Sequence, residues 1–371
     1  MKKVVFIQIL LCISLVAMAQ KVQRVLAPGQ EPAKFTTRRN LAPGQYAYRL
    51  DSIVNVASYG TTSFHYSYDK QGRIAALIMR SEGDPTPAKY IYCYDKRGFC
   101  VGEAQYEVVD GKDVLLGETL AVFTDEGRMM KTEKKLYGNA GKVRQIVTDS
   151  YTYDQRGNCV EHMTQTLITM SNTLTKTKRT YAYNARNQRI EEVLYGYKTQ
   201  EDEFFPNITT TIEYDKNGRV NHFTTIETTG LGEDGKSDIF IDYTELNGQV
   251  VREQRKRKRS GDDNWTVEIT NRAYDTYGNL VREDKEKNDT YSGSTNYYYD
   301  LATKAENVQG VDWYGKPGTT LLNMGLLCDA CGHQYRVTRI NGVNASGDFE
   351  GLSGYSNTTG SDVRFYYTEL K

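Results

Sequence analysis

The sequence predicts an all-β protein, an antiparallel meander of about eighteen strands from nine hairpin repeats of ~30 residues, curled or closed into a barrel-like sheet. Three observations carry this reading. The motif Tyr-Asp-x-x-Gly returns at a near-constant interval, aromatic and β-branched residues alternate with period two ahead of it, and tyrosine is in excess. The 29 tyrosines stand against 11 phenylalanines and 2 tryptophans in 371 residues. A ring with a polar tip suits surfaces that are apolar at one end and wet at the other. Charge narrows the function: Lys+Arg and Asp+Glu both total 47, and mean hydropathy is -0.63. These values argue against a nucleic-acid-binding surplus, an acidic disordered chain, and a helical membrane protein beyond one N-terminal segment.

Residues 1–19 have the build of a secretory signal peptide. Met1-Lys2-Lys3 is basic, Val4 to Val16 is apolar, and Ala17-Met18-Ala19 before Gln20 is a small-x-small cleavage site. The apolar run of about 13 residues is shorter than the ~20 that a membrane anchor needs. Leu11 ahead of Cys12 is too bulky for lipoprotein processing. The expectation is export to the periplasm, the outer-membrane surface or the medium. Residues 20–45 read as a Pro/Gly linker: Leu26-Ala27-Pro28-Gly29-Gln30 recurs as Leu41-Ala42-Pro43-Gly44-Gln45, without apolar periodicity.

Residues 46–300 form the array. Five close copies of the turn motif are Tyr68-Asp69-x-x-Gly72, Tyr94-Asp95-x-x-Gly98, Tyr153-Asp154-x-x-Gly157, Tyr214-Asp215-x-x-Gly218 and Tyr274-Asp275-x-x-Gly278. Looser copies contain Phe123, Tyr183, Tyr243 and Tyr299, and the nine marker aromatics are spaced 26, 29, 30, 30, 31, 29, 31 and 25 residues apart. Ahead of the turn, Phe64, Tyr66 and Tyr68 lie on one face of a strand. Asp bonds the backbone two residues on, and Gly supplies a positive φ, so the motif closes a tight hairpin. Two strands of about 10 to 12 residues and a longer loop at the other end complete each unit. Pro85, Pro87 and Pro206 fall in those second loops on this reading. Residues 301–371, where the repeat stops, contain Trp313 and the apolar stretch Thr320 to Leu327, and read as a C-terminal capping segment.

The repeated Tyr-x-Tyr-Asp-x-x-Gly-Arg signature resembles the YD repeat of the Rhs family. A leader followed by such an array is similar to secreted Gram-negative proteins of unknown function, some described as porin-like. The resemblance covers residues 46–300 and implies the β-architecture. Large Rhs proteins coil many more units around a cleaved toxin, and this chain lacks a recognisable toxin or self-cleavage segment, so the toxin biology is not carried over.

Candidate chemistry is sparse. Aspartates 69, 95, 125, 154, 215, 275 and 300 recur once per turn, which points to hairpin closure rather than acid catalysis. The tyrosine ladder fits cross-strand packing, with sugar stacking as the functional alternative. Cys93 and Cys100 point to opposite faces, while Cys100 and Cys159 lie too far apart to bridge, so buried thiols are expected for the last two. Cys328, Cys331 and His333 form the one constellation with the look of a metal site, but it lacks a fourth ligand, and a local disulfide or packed thiols is preferred. His65, His162 and His222 show no ligand spacing, and no G-x-S-x-G, H-E-x-x-H or P-loop occurs. The basic run from Arg252 to Arg259 reads as a solvated strand, with anionic glycans as its functional alternative. No cofactor, catalytic residue or nucleic-acid partner is expected. The expected function is non-enzymatic binding or scaffolding at the cell envelope, with a glycan or an envelope protein as partner. The alternatives are an outer-membrane porin-like barrel, the one case implying membrane contact, and an Rhs-like toxin-associated shell fragment. Charged return strands such as Leu280 to Lys287 weigh against the pore.

Overall fold

The computed structural model describes residues 46–57, 60–138, 141–228, 234–304, 308–309, 335–344 and 361–370. The leader, the linker, and Cys328, Cys331 and His333 lie outside the described residues. The first strands are β1 (Tyr48–Ala57), β2 (Gly60–Tyr68), β3 (Ile74–Ser81), β4 (Ala88–Tyr94), β5 (Cys100–Val109), β6 (Lys112–Phe123) and β7 (Met129–Tyr137). They are followed by β8 (Val143–Tyr153), β9 (Cys159–Ile168), β10 (Thr173–Tyr183), β11 (Arg189–Lys198), β12 (Glu203–Tyr214), β13 (Val220–Thr228) and β14 (Asp234–Leu246). The last are β15 (Gln249–Arg259), β16 (Thr266–Tyr274), β17 (Leu280–Lys287), β18 (Thr290–Lys304), β19 (Val308–Gln309), β20 (Tyr335–Asn344) and β21 (Ser361–Glu369).

Successive strands pair antiparallel from β1 to β18, β18 pairs with β20, β20 with β21, and β21 returns to β1. The meander is therefore a closed barrel of 20 strands rather than about eighteen. The count differs because residues 301–371 supply β20 and β21 to the wall. An even number is what an antiparallel ring requires, since each strand must oppose both neighbours. Closure also leaves the ring without a free sheet edge to template aggregation.

Alternation gives the wall two faces, and their parity survives one circuit. Register places Phe64, Tyr66, Leu77, Tyr90 and Tyr92 on one face and carries it across the seam to Val363, Phe365 and Ile53. This tyrosine face holds the main core, where Leu50, Ile53, Val308 and Val363 are fully buried beside Phe64, Tyr90 and Ile340. The core sits at the seam, on β1 to β5 and β19 to β21. There β19 runs parallel to the start of β1, Tyr48 against Val308. A smaller cluster, Ile212, Val220 and Ile241, lies across β12 to β14.

The motif turns close as the residue types require. In the turn from Asp69 to Arg73, the Asp69 carboxylate accepts the N–H groups of Gln71 and Arg73, each at 2.9 Å, and Gly72 has φ 76°. The same pattern holds at Asp95, Asp154, Asp215 and Asp275, with Gly98, Gly157, Gly218 and Gly278 all at positive φ. Three copies depart from expectation. Asp300 lies inside β18, in register with Arg336 of β20, and not at a turn. Thr124, not Asp125, closes the turn between β6 and β7: its hydroxyl accepts the Arg128 N–H at 3.2 Å, while Asp125 is fully exposed. Between β14 and β15 the turn is Asn247-Gly248, both at positive φ, the chemistry of a two-residue hairpin. At the opposite end of the barrel the connections after β3 and β15 are the longer loops expected, while two others are tighter. Asp110-Gly111 and Asn288-Asp289 make two-residue turns there, and Pro206 lies inside β12 at a bulge, where a missing N–H is tolerated.

The hydroxyl explains why the marker is tyrosine. Each return strand opens on a bulge, so that Tyr68 opposes Ile74 while Ser67 opposes Ala76. The tyrosine then reaches back past its own hairpin to the carbonyl that opens the preceding return strand. Tyr94 donates to the Ile74 carbonyl at 2.6 Å, Tyr183 to Cys159 at 2.9 Å, Tyr214 to Arg189 at 2.7 Å and Tyr243 to Val220 at 2.9 Å. Tyr153 and Tyr299 do the same, Tyr274 reaches Val250 one residue into β15, and Tyr68 reaches Leu50 inside β1, whereas Phe123 has no hydroxyl to offer. Tyr243→Phe is expected to cost about 1 kcal/mol by orphaning the Val220 carbonyl, and Phe123→Tyr to recover a similar amount by reaching Cys100. Urea midpoints of the two variants measure both, and equal midpoints would remove the clip from the fold's energetics.

Candidate functional site

The turn residues picked out by sequence form a rim at one end of the barrel, and their side chains are occupied in holding it. Neighbouring turns are chained to one another. Arg97 donates to the Thr124 carbonyl and Arg156 to that of Asn184, both at 3.0 Å, while Gln188 and Gln249 reach Gly218 and Gly278 at 3.1 Å. Arg73 lies over the Tyr94 ring at 4.3 Å and Arg219 over Tyr243 at 4.8 Å. The rim is a frame rather than a catalytic constellation.

Three clusters stand on the wall itself. The first is on the tyrosine face of β7 to β9, where Asp149 accepts from His162 Nε2 at 2.8 Å, Thr164 at 2.6 Å and Thr132 at 3.1 Å. Tyr151 stacks on His162 with ring centroids 4.5 Å apart. Thr164 donates to the same carboxylate oxygen that His162 contacts, so its hydroxyl proton is directed at Asp149. A second cluster has the same parts. His222 stacks on Phe240 at 4.1 Å, and Thr224 donates to Asp238 at 2.7 Å. Here the partner aspartate lies downstream in sequence and the cluster is on the opposite face. That inversion hid the shared pattern, His-x-Thr facing Asp-x-aromatic on the next strand, from any search by spacing.

The third cluster is an ion-pair network on the tyrosine face of β15 to β18. Glu253, with a side chain 6% exposed, pairs with Arg255 at 2.5 Å and Arg272 at 3.1 Å. Arg272 pairs with Glu283 at 2.8 Å, and Tyr297 donates to Glu283 at 3.0 Å. The guanidinium stands between the two carboxylates, so they do not face each other across open space as a hydrolytic pair would. Burial disfavours the charged Arg272, yet Glu283 and Glu253 raise its pKa further than burial lowers it.

Cysteine placement matches the register argument in part. Tyr94 opposes Cys100, and Cys93 opposes Gly102 on the other face. Cys93, Cys100 and Cys159 are all free; Cys100 is buried, as expected, but Cys159 is only half-buried. Burial pushes the Cys100 thiol up to about 12 and the Cys159 thiol up to about 11, which keeps both protonated and unreactive at neutral pH. No group of three or more metal-ligating side chains occurs among the described residues.

The rim has a consequence for acid stability. Partial burial pushes Asp95, Asp215 and Asp275 up, but the turn N–H groups with Arg97, Arg219 and Asn279 lower them further, and the Asn158 amide is the largest influence lowering Asp154. Asp149 and Asp362 are likewise lowered: burial raises both, and His162 with Thr164, or Arg339 with Arg364, outweigh it. A carboxylate with a depressed folded value contributes stability that is complete above its unfolded value and lost as pH falls through the folded one. The melting temperature is therefore expected to hold from pH 8 to about pH 5 and to fall progressively below about pH 4. Scanning calorimetry across that range tests it; an unchanged melting temperature at pH 3 would contradict the linkage.

Among known proteins, no family model and no curated protein matches the chain. Solved structures do. A porin-like protein from Bacteroides uniformis is 12% identical with a TM-score of 0.28, over 86% of this chain and 98% of that one. A porin-like protein from Bacteroides vulgatus is 14% identical with a TM-score of 0.27, over 62% of this chain and 99% of that one. The Tc holotoxin pore of Photorhabdus luminescens is 11% identical with a TM-score of 0.25, over 78% of this chain but only 18% of the toxin chain. At these scores none of the three lends the chain a function.

Proposed function

We propose that this chain is an exported, non-enzymatic β-barrel of the cell envelope that works as a binding or scaffolding module on a glycan or protein ligand. The observation that carries the reading is charge on both faces of a closed wall. Glu103, Glu192, Glu253 and Arg272 lie on the tyrosine face, opposite or beside Tyr92, Tyr181 and Tyr243. Glu133, Lys178, Lys256 and Asp284 lie on the opposite face, across from Leu120, Met163, Phe240 and Asn271. A charge at the midplane of a lipid-facing strand costs roughly 2 to 4 kcal/mol, and neither face offers an uninterrupted apolar band. The clipped, chained turns give a rigid frame on which surface side chains hold fixed positions, as a binding module needs.

A pore is the second reading, favoured by closure itself. A round ring of twenty strands spaced about 4.8 Å and tilted about 40° is roughly 40 Å across, wide enough for a lumen. One fractionation separates the two. The binding reading expects recovery in the soluble periplasmic or extracellular fraction and capture of envelope glycan or protein in a pull-down. Recovery in outer-membrane vesicles with single-channel conductance in planar bilayers would overturn it in favour of the pore.

A further inference from the structure

On the opposite face, β13 to β16 present aromatic rings to solvent beside cations that have no acid to pair with. His222 lies flat on Phe240, their planes 4° apart, and Trp265, just ahead of β16, meets Phe240 nearly edge-on at 5.7 Å. Phe240 and Trp265 are each 41% exposed. They serve neither apolar cluster, because the core residues of β14, Ile239 and Ile241, are on the tyrosine face. Lys256 is the cross-strand neighbour of Phe240; it is exposed and forms no ion pair among the described residues. Lys258 sits across from Asp238, but that carboxylate is taken by Lys236 at 3.0 Å and Thr224 at 2.7 Å. The Lys258 ammonium reaches no closer partner than the Asp263 carbonyl, at 3.4 Å.

Aromatic faces stack on the apolar faces of pyranose rings, and an unpaired ammonium beside them meets a carboxylate or sulfate on the same chain. Deepening the binding reading, on which it rests, we infer that Phe240, Trp265, Lys256 and Lys258 form a surface platform for an acidic polysaccharide. Nucleic acid shares stacking and negative charge. It fits less well, because Phe240 and Trp265 are inclined at 62° to each other and do not form the parallel platforms on which successive bases stack. A neutral glycan would leave the two ammonium groups without a role.

Trp265 is its own reporter once Trp313, the second of the chain's 2 tryptophans, is replaced by phenylalanine. The full chain carrying Trp313→Phe is titrated with oligogalacturonate, dextran sulfate, neutral dextran and oligo-dT. Either acidic glycan is expected to quench Trp265, and which one does so identifies the acid as carboxylate or sulfate. Binding should weaken at least tenfold between low and high salt. Phe240→Ala and the pair Lys256→Gln/Lys258→Gln should each weaken binding at least tenfold, with circular dichroism unchanged. Equal affinity for neutral dextran or oligo-dT overturns the assignment. If the parent protein binds and the folded variants bind equally, the platform is wrong while the binding reading stands. If the parent captures nothing in the envelope pull-down and titrates with none of the four, both fall.

Discussion

Arg272→Met is expected to lower unfolding free energy by about 3 kcal/mol, because it leaves two carboxylates facing each other in a half-dry wall. Arg272 is the bridge between Glu253 and Glu283, at 3.1 and 2.8 Å. Breaking a buried pair from one side strands the other charge, and the loss is then larger than the pair's own net worth. The remaining partners, Arg255 on Glu253 and Tyr297 on Glu283, hold the figure to the low end. Replacing the three most buried of the four charges together, Arg272→Met with Glu253→Leu and Glu283→Met, leaves only the half-exposed Arg255 to water and is expected to return stability to within about 1 kcal/mol of the parent, as apolar replacement of buried networks does. Urea denaturation of the single and triple variants measures both terms. A single variant that loses less than 1 kcal/mol would mean that water already screens the network.

Ending the chain after Gly360 is expected to abolish the monomer. That truncation removes β21, which pairs with both β20 and β1 and places Val363 and Phe365, 0% and 5% exposed, in the seam core. The ring becomes an open sheet with two long unpaired edges, the geometry that recruits further chains. Light scattering after size exclusion should report oligomers or aggregate where the full chain is monodisperse. Val363→Asp separates the two contributions. It keeps the β21 ladder but buries a charge among Leu50, Ile53 and Phe365, and should cost at least about 4 kcal/mol. A truncated chain that stays monomeric, with its far-ultraviolet dichroism intact, would show that the seam is dispensable.

Sequence and structure part company where interactions stop being local. The period, the strands and the turn end were readable because Tyr-Asp-x-x-Gly acts within five residues, and Asp69, Asp95, Asp154, Asp215 and Asp275 all close turns as expected. Asp125 misled because Thr124, one residue earlier, performs the same backbone closure. Pro206 misled because a bulge inside β12 tolerates it as well as a loop would. That so long a meander must curl or close was readable from the strand number, but which strands make the seam was not: β1 and β21 meet from opposite ends of the chain, and β20 carries no turn motif. The clips left one trace. Eight of the nine markers are tyrosine and one is phenylalanine, a selection for the hydroxyl that packing alone does not demand. The Phe240 and Trp265 platform left half a trace: Lys256 and Lys258 lie in the basic run from Arg252 to Arg259, whose functional alternative is anionic glycans, but the aromatic rings beside them come from β14 and the approach to β16 and carry no spacing signal.

The backward reach of the tyrosines also gives the barrel a direction in time. Each hydroxyl grips a carbonyl that lies 18 to 25 residues earlier in the chain, from Tyr68 on Leu50 to Tyr214 on Arg189. A hairpin that forms as the chain grows thus finds its anchor already formed and already paired. Assembly can run as a sequence of short-range steps from the N-terminal end. Only the seam steps, β19 and β21 finding β1, close loops of some 260 and 300 residues, as Tyr48 against Val308 and Ile53 against Phe365. Such long-range pairing is entropically slow. The species that waits is a nearly complete wall with one open seam, and that intermediate, rather than the finished barrel, is where chaperone capture or misassembly would act.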